Sequence, residues 1–206
     1  INLMQISEQT EEKIASVAKL SQKILPDILY FADSLGGMDP SQISNLVKTF
    51  RLYWKGPLGI HTHNNLGKAV ANSLAAMESG VTWIDCTVTG MGRGPGNAQT
   101  EYLLIEMQNR INRKLDILPL LRLIKKHFYP LQQKYNWGTN TYYYLAGKYG
   151  IHPTYIQEML MSYFDENEIL AAIDQLKHSG GKKYNVDLVR SEFQKPLKLK
   201  KGKWSP

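Results

Sequence analysis

Cysteine is nearly absent from this chain, and long apolar runs are absent altogether. Because Cys86 is the single cysteine, no disulfide can form within the chain, which is typical of proteins in a reducing compartment. The longest apolar runs fall far short of the ~20 residues that a membrane-spanning helix needs. We therefore expect a cytoplasmic protein that does not enter a membrane, with Cys86 as a buried, unreactive thiol.

Basic residues outnumber acidic residues, and most of the excess positive charge lies at the C-terminal end of the chain. There are 25 Lys and Arg against 18 Asp and Glu, which gives a formal net charge of +7. Lysines crowd the last dozen residues, at Lys195, Lys198, Lys200, Lys201 and Lys203. Elsewhere the charges nearly balance, and no ladder of aromatic and basic residues indicates nucleic-acid binding. We predict a solvated basic tail over residues 191–206 and no nucleic-acid partner.

Strand-like and helix-like segments alternate four times within residues 1–115. The strand segments are continuously apolar and the connections are short, which predicts a parallel sheet covered by helices. Such a sheet is either half of an eightfold barrel or an open doubly wound sheet. Polar residues at the carboxyl ends of the predicted strands favour the α/β TIM barrel, (β/α)8, in which those ends converge on one active-site face. These residues are Gln5, Asp33, Ser34, His61, His63 and Asn97.

Local signals give the expected bounds of several elements. Ser7 is a predicted cap of the first helix, and Asp39 followed by Pro40 is a predicted start of the second. The fourth strand is expected over residues 81–89. After residue 115 the alternation stops, and four helical patterns, the first over residues 117–128, predict a small all-helical domain over residues 116–190.

A pair of histidines, His61 and His63, stands at the end of an apolar run. A strand has a side-chain period of two, so both rings are expected on the same side of the sheet. Two imidazoles on one face make half of a metal site. The alternative is that one ring is a satisfied core residue and the other lines a polar rim.

A glycine-rich loop, Gly90-Met-Gly-Arg-Gly-Pro-Gly-Asn97, follows the fourth predicted strand. Its spacing does not match the dinucleotide fingerprint G-x-G-x-x-G. Backbone N–H groups and Arg93 could hold an anion there. We favour the alternative that the glycines allow a tight path over the mouth of the barrel.

Three motifs taken together resemble a superfamily of metal-dependent pyruvate-type aldolases, isopropylmalate and homocitrate synthases, and hydroxymethylglutaryl-CoA lyases. They are Phe31-Ala-Asp-Ser-Leu-Gly-Gly37, Gly59-Ile-His-Thr-His-Asn-Asn-Leu-Gly67, and Ile84-Asp85 with Gly90-Met-Gly-Arg-Gly-Pro-Gly-Asn-Ala98. Within it, the chain is most similar to the 4-hydroxy-2-oxovalerate aldolases, because residues 136–189 resemble their helical C-terminal domain. The lyases carry a cysteine in the glycine loop, which this chain lacks.

The resemblance implies a divalent cation, Mn²⁺ or Mg²⁺, held by His61 and His63. Asn97, at the end of the glycine loop, is implied as a further metal ligand.

The resemblance also implies contacts with a 2-oxo acid substrate. Asp33 and Ser34 match a motif that lies beside the bound acid, with Ser34 as a hydrogen-bond donor to its carboxylate. Tyr143, within Tyr142-Tyr-Tyr144, matches a tyrosine that positions substrate, and it is the implied catalytic residue. From the residues alone, core packing is the default role of such a run.

The implied reaction is cleavage of a 4-hydroxy-2-oxo acid to pyruvate and an aldehyde through a metal-stabilised enolate. In the family an Arg-Asp pair on the first barrel strand and a nearby catalytic histidine complete the site, and this sequence has no match to them. We therefore expect a fragment that begins at about the fifth strand, the C-terminal half of the barrel, which does not catalyse the reaction alone.

Two other functions fit the same residues. One is a Claisen-type synthase of the superfamily, which condenses an acyl-CoA with a 2-oxo acid. The other is a non-catalytic half-barrel that pairs with a second copy or another chain. A homo-oligomer is a further expectation, and the family resemblance implies an aldehyde dehydrogenase as a partner.

Overall fold

The computed structural model describes residues 1–110, 114–179 and 181–185. Four strands are present, β1 (Asn2–Leu3), β2 (Leu29–Asp33), β3 (Leu58–Thr62) and β4 (Trp83–Ile84). The helices that follow them in turn are α1 (Glu11–Ile24), α2 (Pro40–Tyr53), α3 (Ala69–Glu78) and α4 (Thr100–Arg110). The predicted basic tail, residues 191–206, lies outside the described residues.

The four strands form one sheet in the order β1-β2-β3-β4, and every neighbouring pair is parallel. A doubly wound sheet reverses its strand order at a switch point, whereas a barrel adds each strand next to the previous one. The described strands show no such reversal. They form an α/β arrangement consistent with part of a TIM barrel, as predicted.

The two faces of the sheet differ in composition. Side chains that face the helices are fully buried, and Phe31 of β2 stacks on Phe50 of α2 with ring centroids 5.3 Å apart. On the opposite face the register pairs Tyr30 with Gly59 and Ala32 with His61. The period of two therefore directs Phe31 and Ile60 to the helix layer and Tyr30 and His61 to the opposite face.

Helix α2 begins with the predicted cap. The Asp39 side chain accepts hydrogen bonds from backbone N–H groups in the first turn, the Gln42 side chain accepts one from the Asp39 N–H, and Pro40 occupies the first helical position. This reciprocal capping box satisfies N–H groups that have no partner inside the helix.

Helix α1 begins later than predicted. Ser7 lies in a short 3-10 turn, Ile6–Glu8, and the cap is Thr10, whose side chain accepts from the Lys13 N–H. The prediction that Ser7 caps this helix was wrong. Thr10 offers the same hydroxyl group and lies directly before the first turn of the helix, which is acidic.

Strand β4 is much shorter than the predicted 81–89. After Ile84 the chain leaves the sheet, and a 3-10 turn, Val88–Gly90, contains Thr89 in the left-handed region at φ 54°. The Thr89 N–H donates to a Glu101 carboxylate oxygen at 2.9 Å instead of to a neighbouring strand. Apolar composition alone could not reveal this early exit.

The remaining elements are helical. They are α5 (Leu118–Leu123), a π-helical segment (Ile124–Phe128), α6 (Tyr129–Tyr135), α7 (Thr141–Tyr149), α8 (Pro153–Met161) and α9 (Glu166–Ser179). The first pattern, predicted to end at residue 128, continues to Tyr135, and Pro130 follows directly after the π-helical segment. None of the helices within the described residues is long and apolar enough to cross a membrane.

Helices α7 to α9 share a buried apolar cluster that includes Tyr143, Ile156 and Ile173. The segment before α7 is hydrogen-bonded to the sheet's loops, because Trp137 Nε1 donates to the Thr89 carbonyl at 3.1 Å. The division into a barrel over residues 1–115 and a helical domain over 116–190 stays a prediction.

The capping box provides a test of this fold. We expect Asp39→Ala to lower the free energy of unfolding by about 1 kcal/mol, because two N–H groups lose their acceptor. Urea unfolding followed by circular dichroism would measure the loss. Asp27→Ala, at an exposed position outside any helix, is the matched control and should change stability by less than half as much.

Candidate metal centre

The two histidines lie together where β3 ends. Their ring centroids are 5.1 Å apart and the rings are nearly perpendicular, at 77°. The side chain of His61 is 28% exposed, whereas the ring of His63 is largely buried. The predicted placement of both rings on one side of the sheet is therefore correct.

Asn97 is the residue that the fold places opposite His63. The two form an isolated antiparallel bridge, next to a hydrogen bond from the Asn64 N–H to the Gly96 carbonyl at 3.0 Å. His63 Nδ1 and Asn97 Oδ1 are both buried, and neither has a hydrogen-bond partner among the described residues. Unpartnered buried polar atoms are costly, and a cation is one partner that satisfies both lone pairs.

Burial controls the protonation of His63. Desolvation lowers the pKa of its ring to about 4; positive charge on His61 or Arg93 acts in the same direction, and a hydrogen bond with the Gly96 backbone opposes the shift. The ring is therefore neutral near pH 7, which is the form that binds metals. The site residues thus fit a divalent cation in ligand type and in protonation.

The glycine loop shapes the position of Asn97. Its Nδ2 donates to the Met91 carbonyl at 3.2 Å, and a Cβ atom at Gly92 would overlap that same nitrogen. Gly96, at φ 75°, passes so close to the Gly90 carbonyl that a side chain would collide with it. The glycines therefore allow a tight path, which closes around the Asn97 amide; its predicted course over the mouth of a barrel stays a prediction.

Asp33 is turned toward the loop that follows β2. Its carboxylate is fully buried and accepts N–H groups from Gly37 at 3.3 Å and Met38 at 3.2 Å. Burial raises the pKa of Asp33 to about 6, although these hydrogen bonds oppose the rise. In this geometry Asp33 fixes the β2–α2 loop, and its direct contact with a substrate stays a prediction.

Ser34 lies at the same edge of the sheet. Its Oγ accepts the Gln5 N–H at 3.0 Å and so joins the ends of β1 and β2. The residue is 8% exposed. Its hydroxyl has no acceptor among the described residues, and its contact with a substrate carboxylate stays a prediction.

Tyr143 is the buried member of the three consecutive tyrosines. It is 3% exposed, while Tyr144 is 48% exposed. Its ring and hydroxyl lie 3.2–3.3 Å from the position that a Cβ of Gly94 would take. Burial raises the pKa of the phenol to about 12, so Tyr143 keeps its proton near pH 7. The tyrosine is thus packed on the glycine loop, and its catalytic role stays a prediction.

Two polar residues beside His61 were not predicted as site residues. His61 Nδ1 lies 3.2 Å from an Asp85 carboxylate oxygen, and the Tyr30 hydroxyl donates to the other carboxylate oxygen at 3.1 Å. Strand parity was the available signal, because the register that pairs Gly59 with Trp83 places Asp85 beside His61.

Few candidate metal ligands lie together at this site. Within residues 1–110, 114–179 and 181–185, no group of three or more His, Cys, Asp or Glu side chains is arranged to hold a metal. The candidate ligands are therefore two imidazoles and one amide oxygen, which leave coordination positions for other groups.

Sequential parallel strands with polar side chains gathered at their carboxyl ends form an α/β arrangement that is consistent with part of a barrel. The chain belongs to the HMGL-like family, whose family model matches residues 1–125. That match covers all four strands, both histidines and the glycine loop.

Curated relatives carry an aldolase name. The 4-hydroxy-2-oxovalerate aldolase of Brevibacillus brevis is 32% identical over 195 residues, which cover 93% of this chain and 57% of the relative. That of Carboxydothermus hydrogenoformans is 42% identical over 93 residues, covering 45% of this chain and 28% of the relative. At its greatest extent here, the chain spans a little over half the length of such a relative.

Solved structures agree on the fold. The N-terminal domain of a predicted aldolase from Bacteroides vulgatus is 35% identical with a TM-score of 0.72, covering 83% of this chain and 56% of that one. The carboxyl transferase domain of Rhizobium etli pyruvate carboxylase matches with a TM-score of 0.63 at 18% identity, covering 87% and 33% respectively. The second likeness supports the fold alone.

Protonation of His63 should make the free energy of unfolding of the metal-free protein depend on pH. The unfolded ring takes up its proton near pH 6.5 and the folded ring only near pH 4. The contribution of His63 to stability is therefore complete above pH 6.5 and is lost as the pH drops toward 4, by on the order of 3 kcal/mol, while the raised pKa of Asp33 acts in the opposite direction. Urea unfolding at pH 7.0 and 4.5 measures the net change, from which His63→Gln should remove the loss due to His63 and His127→Gln should not. Equal pH dependence in all three proteins would contradict the assignment.

The contact between Gly92 and Asn97 provides a second test. We expect Gly92→Ala to destabilise the metal-free protein by about 1–3 kcal/mol, because the new methyl group meets the Asn97 amide. In an Asn97→Ala background the same substitution should cost much less. A double-mutant cycle by urea unfolding gives this coupling, and strictly additive effects would show that the two residues do not touch.

Proposed function

We propose that the protein is part of a divalent-metal-dependent aldolase that cleaves a 4-hydroxy-2-oxo acid to pyruvate and an aldehyde. The observation that carries the proposal is the pair of unpartnered buried atoms, His63 Nδ1 and Asn97 Oδ1, on directly bridged residues beside the exposed ring of His61. The aldolase names of the relatives support the reaction class.

The cation would be held by His61, His63 and Asn97. Mn²⁺ suits this set better than Mg²⁺, because Mg²⁺ prefers oxygen ligands in a strict octahedron and two of the three donors are imidazole nitrogens. When bound, the cation supplies Lewis-acid polarisation of the substrate's 2-oxo group.

The other residues have supporting roles. The buried, neutral ring of His63 keeps a lone pair available without competition from protons at physiological pH. Ser34 keeps a hydroxyl hydrogen that can donate to a substrate carboxylate. Tyr143 has a pKa of about 12, so it acts as a hydrogen-bond donor near pH 7 and not as the general base.

The reaction also needs a base for the 4-hydroxyl proton and a cation for the enolate charge. We propose that these groups, including the family's Arg-Asp pair, lie on the part of the relatives' length that this chain does not span. The chain would then correspond to the C-terminal half of the barrel, with strands β1 to β4 as the fifth to eighth strands. Activity would require both halves.

The cellular setting is part of the same proposal. We expect a cytoplasmic enzyme that acts on a small 2-oxo acid. The family resemblance adds an aldehyde dehydrogenase as the partner that receives the aldehyde. Assembly as a homo-oligomer is a further expectation.

Mn²⁺ binding tests the site without any need for turnover. We expect the chain to bind Mn²⁺, measured as loss of the free-ion electron paramagnetic resonance signal, and His61→Ala to weaken binding at least tenfold. His127→Ala removes an exposed histidine from the π-helical segment and should bind like the unaltered chain. Equal affinity in all three proteins would refute the ligand assignment.

The reaction itself is tested in the polypeptide that carries this chain in its natural reading frame. We expect pyruvate release from 4-hydroxy-2-oxopentanoate, coupled to lactate dehydrogenase, to require Mn²⁺ and to stop after chelation. If no pyruvate forms but an acyl-CoA and a 2-oxo acid release free thiol, the protein is a condensing synthase. If neither pyruvate nor free thiol is released in these two assays, a non-catalytic assembly module is favoured.

A further inference from the structure

We infer that Asp85 is a positioning residue that fixes the tautomer and orientation of His61, and that Tyr30 in turn fixes Asp85. The inference rests on the proposed metal-binding role of His61 on β3 and assigns to that role one residue of β2 and one that directly follows β4.

The first observation is the contact between Asp85 and the histidine ring. An Asp85 carboxylate oxygen lies 3.2 Å from His61 Nδ1. An ionised carboxylate can only accept, so the ring nitrogen that faces it must carry the hydrogen. Nε2 of His61 is then the atom that keeps a lone pair. A carboxylate behind a histidine in this way is the usual arrangement around metal-binding imidazoles.

The second observation is the position of Tyr30. Its hydroxyl donates to the other Asp85 carboxylate oxygen at 3.1 Å, so both oxygens of that carboxylate are engaged. Tyr30 reaches Asp85 by crossing β3 at Gly59, its partner in the strand register. A Cβ at Gly59 would overlap the Tyr30 ring, so the absence of a side chain there leaves the ring its path.

The arrangement contributes little to stability by itself. The side chains of His61 and Asp85 are 28% and 48% exposed, and ion pairs at such positions are weak because water competes for them. Its consequence is geometric. With Nδ1–H directed at Asp85, the Nε2 lone pair of His61 is present and oriented in the metal-free protein. Cation binding then requires no change of tautomer.

Substitution of Asp85 should change the tautomer of His61. In the unaltered metal-free chain we expect one Nδ1–H tautomer. Asp85→Asn retains the shape but offers either an oxygen or an N–H₂ group to the ring, so both tautomers should be populated. Asp85→Ala should remove the preference as well. Tyr30→Phe should have a smaller effect, because the carboxylate can still accept.

Long-range ¹H–¹⁵N correlation spectra of the metal-free chain at pH 8 report the tautomer directly, with the His61 signals assigned by their loss in His61→Gln. Asp27→Asn and Tyr135→Phe are matched controls at exposed positions and should leave the His61 signals unchanged. A predominant Nε2–H tautomer in the unaltered chain would overturn the inference, as would an unchanged His61 spectrum in Asp85→Ala.

Mn²⁺ affinity is the second measurement on the same proteins. We expect Asp85→Ala and Asp85→Asn to weaken binding by about 10–100-fold and Tyr30→Phe by less. Full affinity in Asp85→Ala would overturn the positioning role. If the unaltered chain shows the Nδ1–H tautomer but binds no Mn²⁺, the proposed metal function fails, while control of the ring by Asp85 stands. The two proposals therefore fail separately.

Discussion

The parallel register between β2, β3 and the end of β4 is the constraint on which the site depends. Because side chains alternate along a strand, the register that buries Phe31 and Ile60 against the helices must also direct Tyr30 and His61 to the opposite face. A shift of one residue would expose the core and bury the histidine at once. Hydrophobic burial thus determines the orientation of the polar site.

The helices after residue 117 depend on the same edge of the sheet. Three hydrogen bonds connect the segment between α6 and α7 to the strand-end loops: Trp137 Nε1 to the Thr89 carbonyl, the Gly138 N–H to the Gly94 carbonyl, and the Thr139 hydroxyl to the Asn65 carbonyl. These bonds set α7 over the glycine loop, where Tyr143 fills the space beside Gly94. A tyrosine some 45 positions beyond the loop in sequence therefore becomes its neighbour.

Features that depend on local chemistry could be predicted from the sequence. Strand parity predicted the shared side of His61 and His63, and the Asp-Pro pair predicted the start of α2. Features that depend on the path of the chain could not. The exit of the chain after Ile84 is accompanied by a bond between Thr89 and Glu101, and the Asp33 carboxylate, on the same face of the sheet as Phe31, binds two loop N–H groups. Neither leaves a periodic signal.

The two histidines have unequal environments, and this difference bears on how a cation could enter. His63 and Asn97 are already desolvated, so their unpartnered atoms raise the free energy of the metal-free state, and a ligand that satisfies them recovers that cost. His61 is partly open to solvent and can meet a hydrated ion first. A partly exposed, pre-oriented imidazole beside a buried pair of lone-pair donors allows an ion to exchange its waters in steps. Burial of all three ligands would require most of the hydration shell to be lost at once.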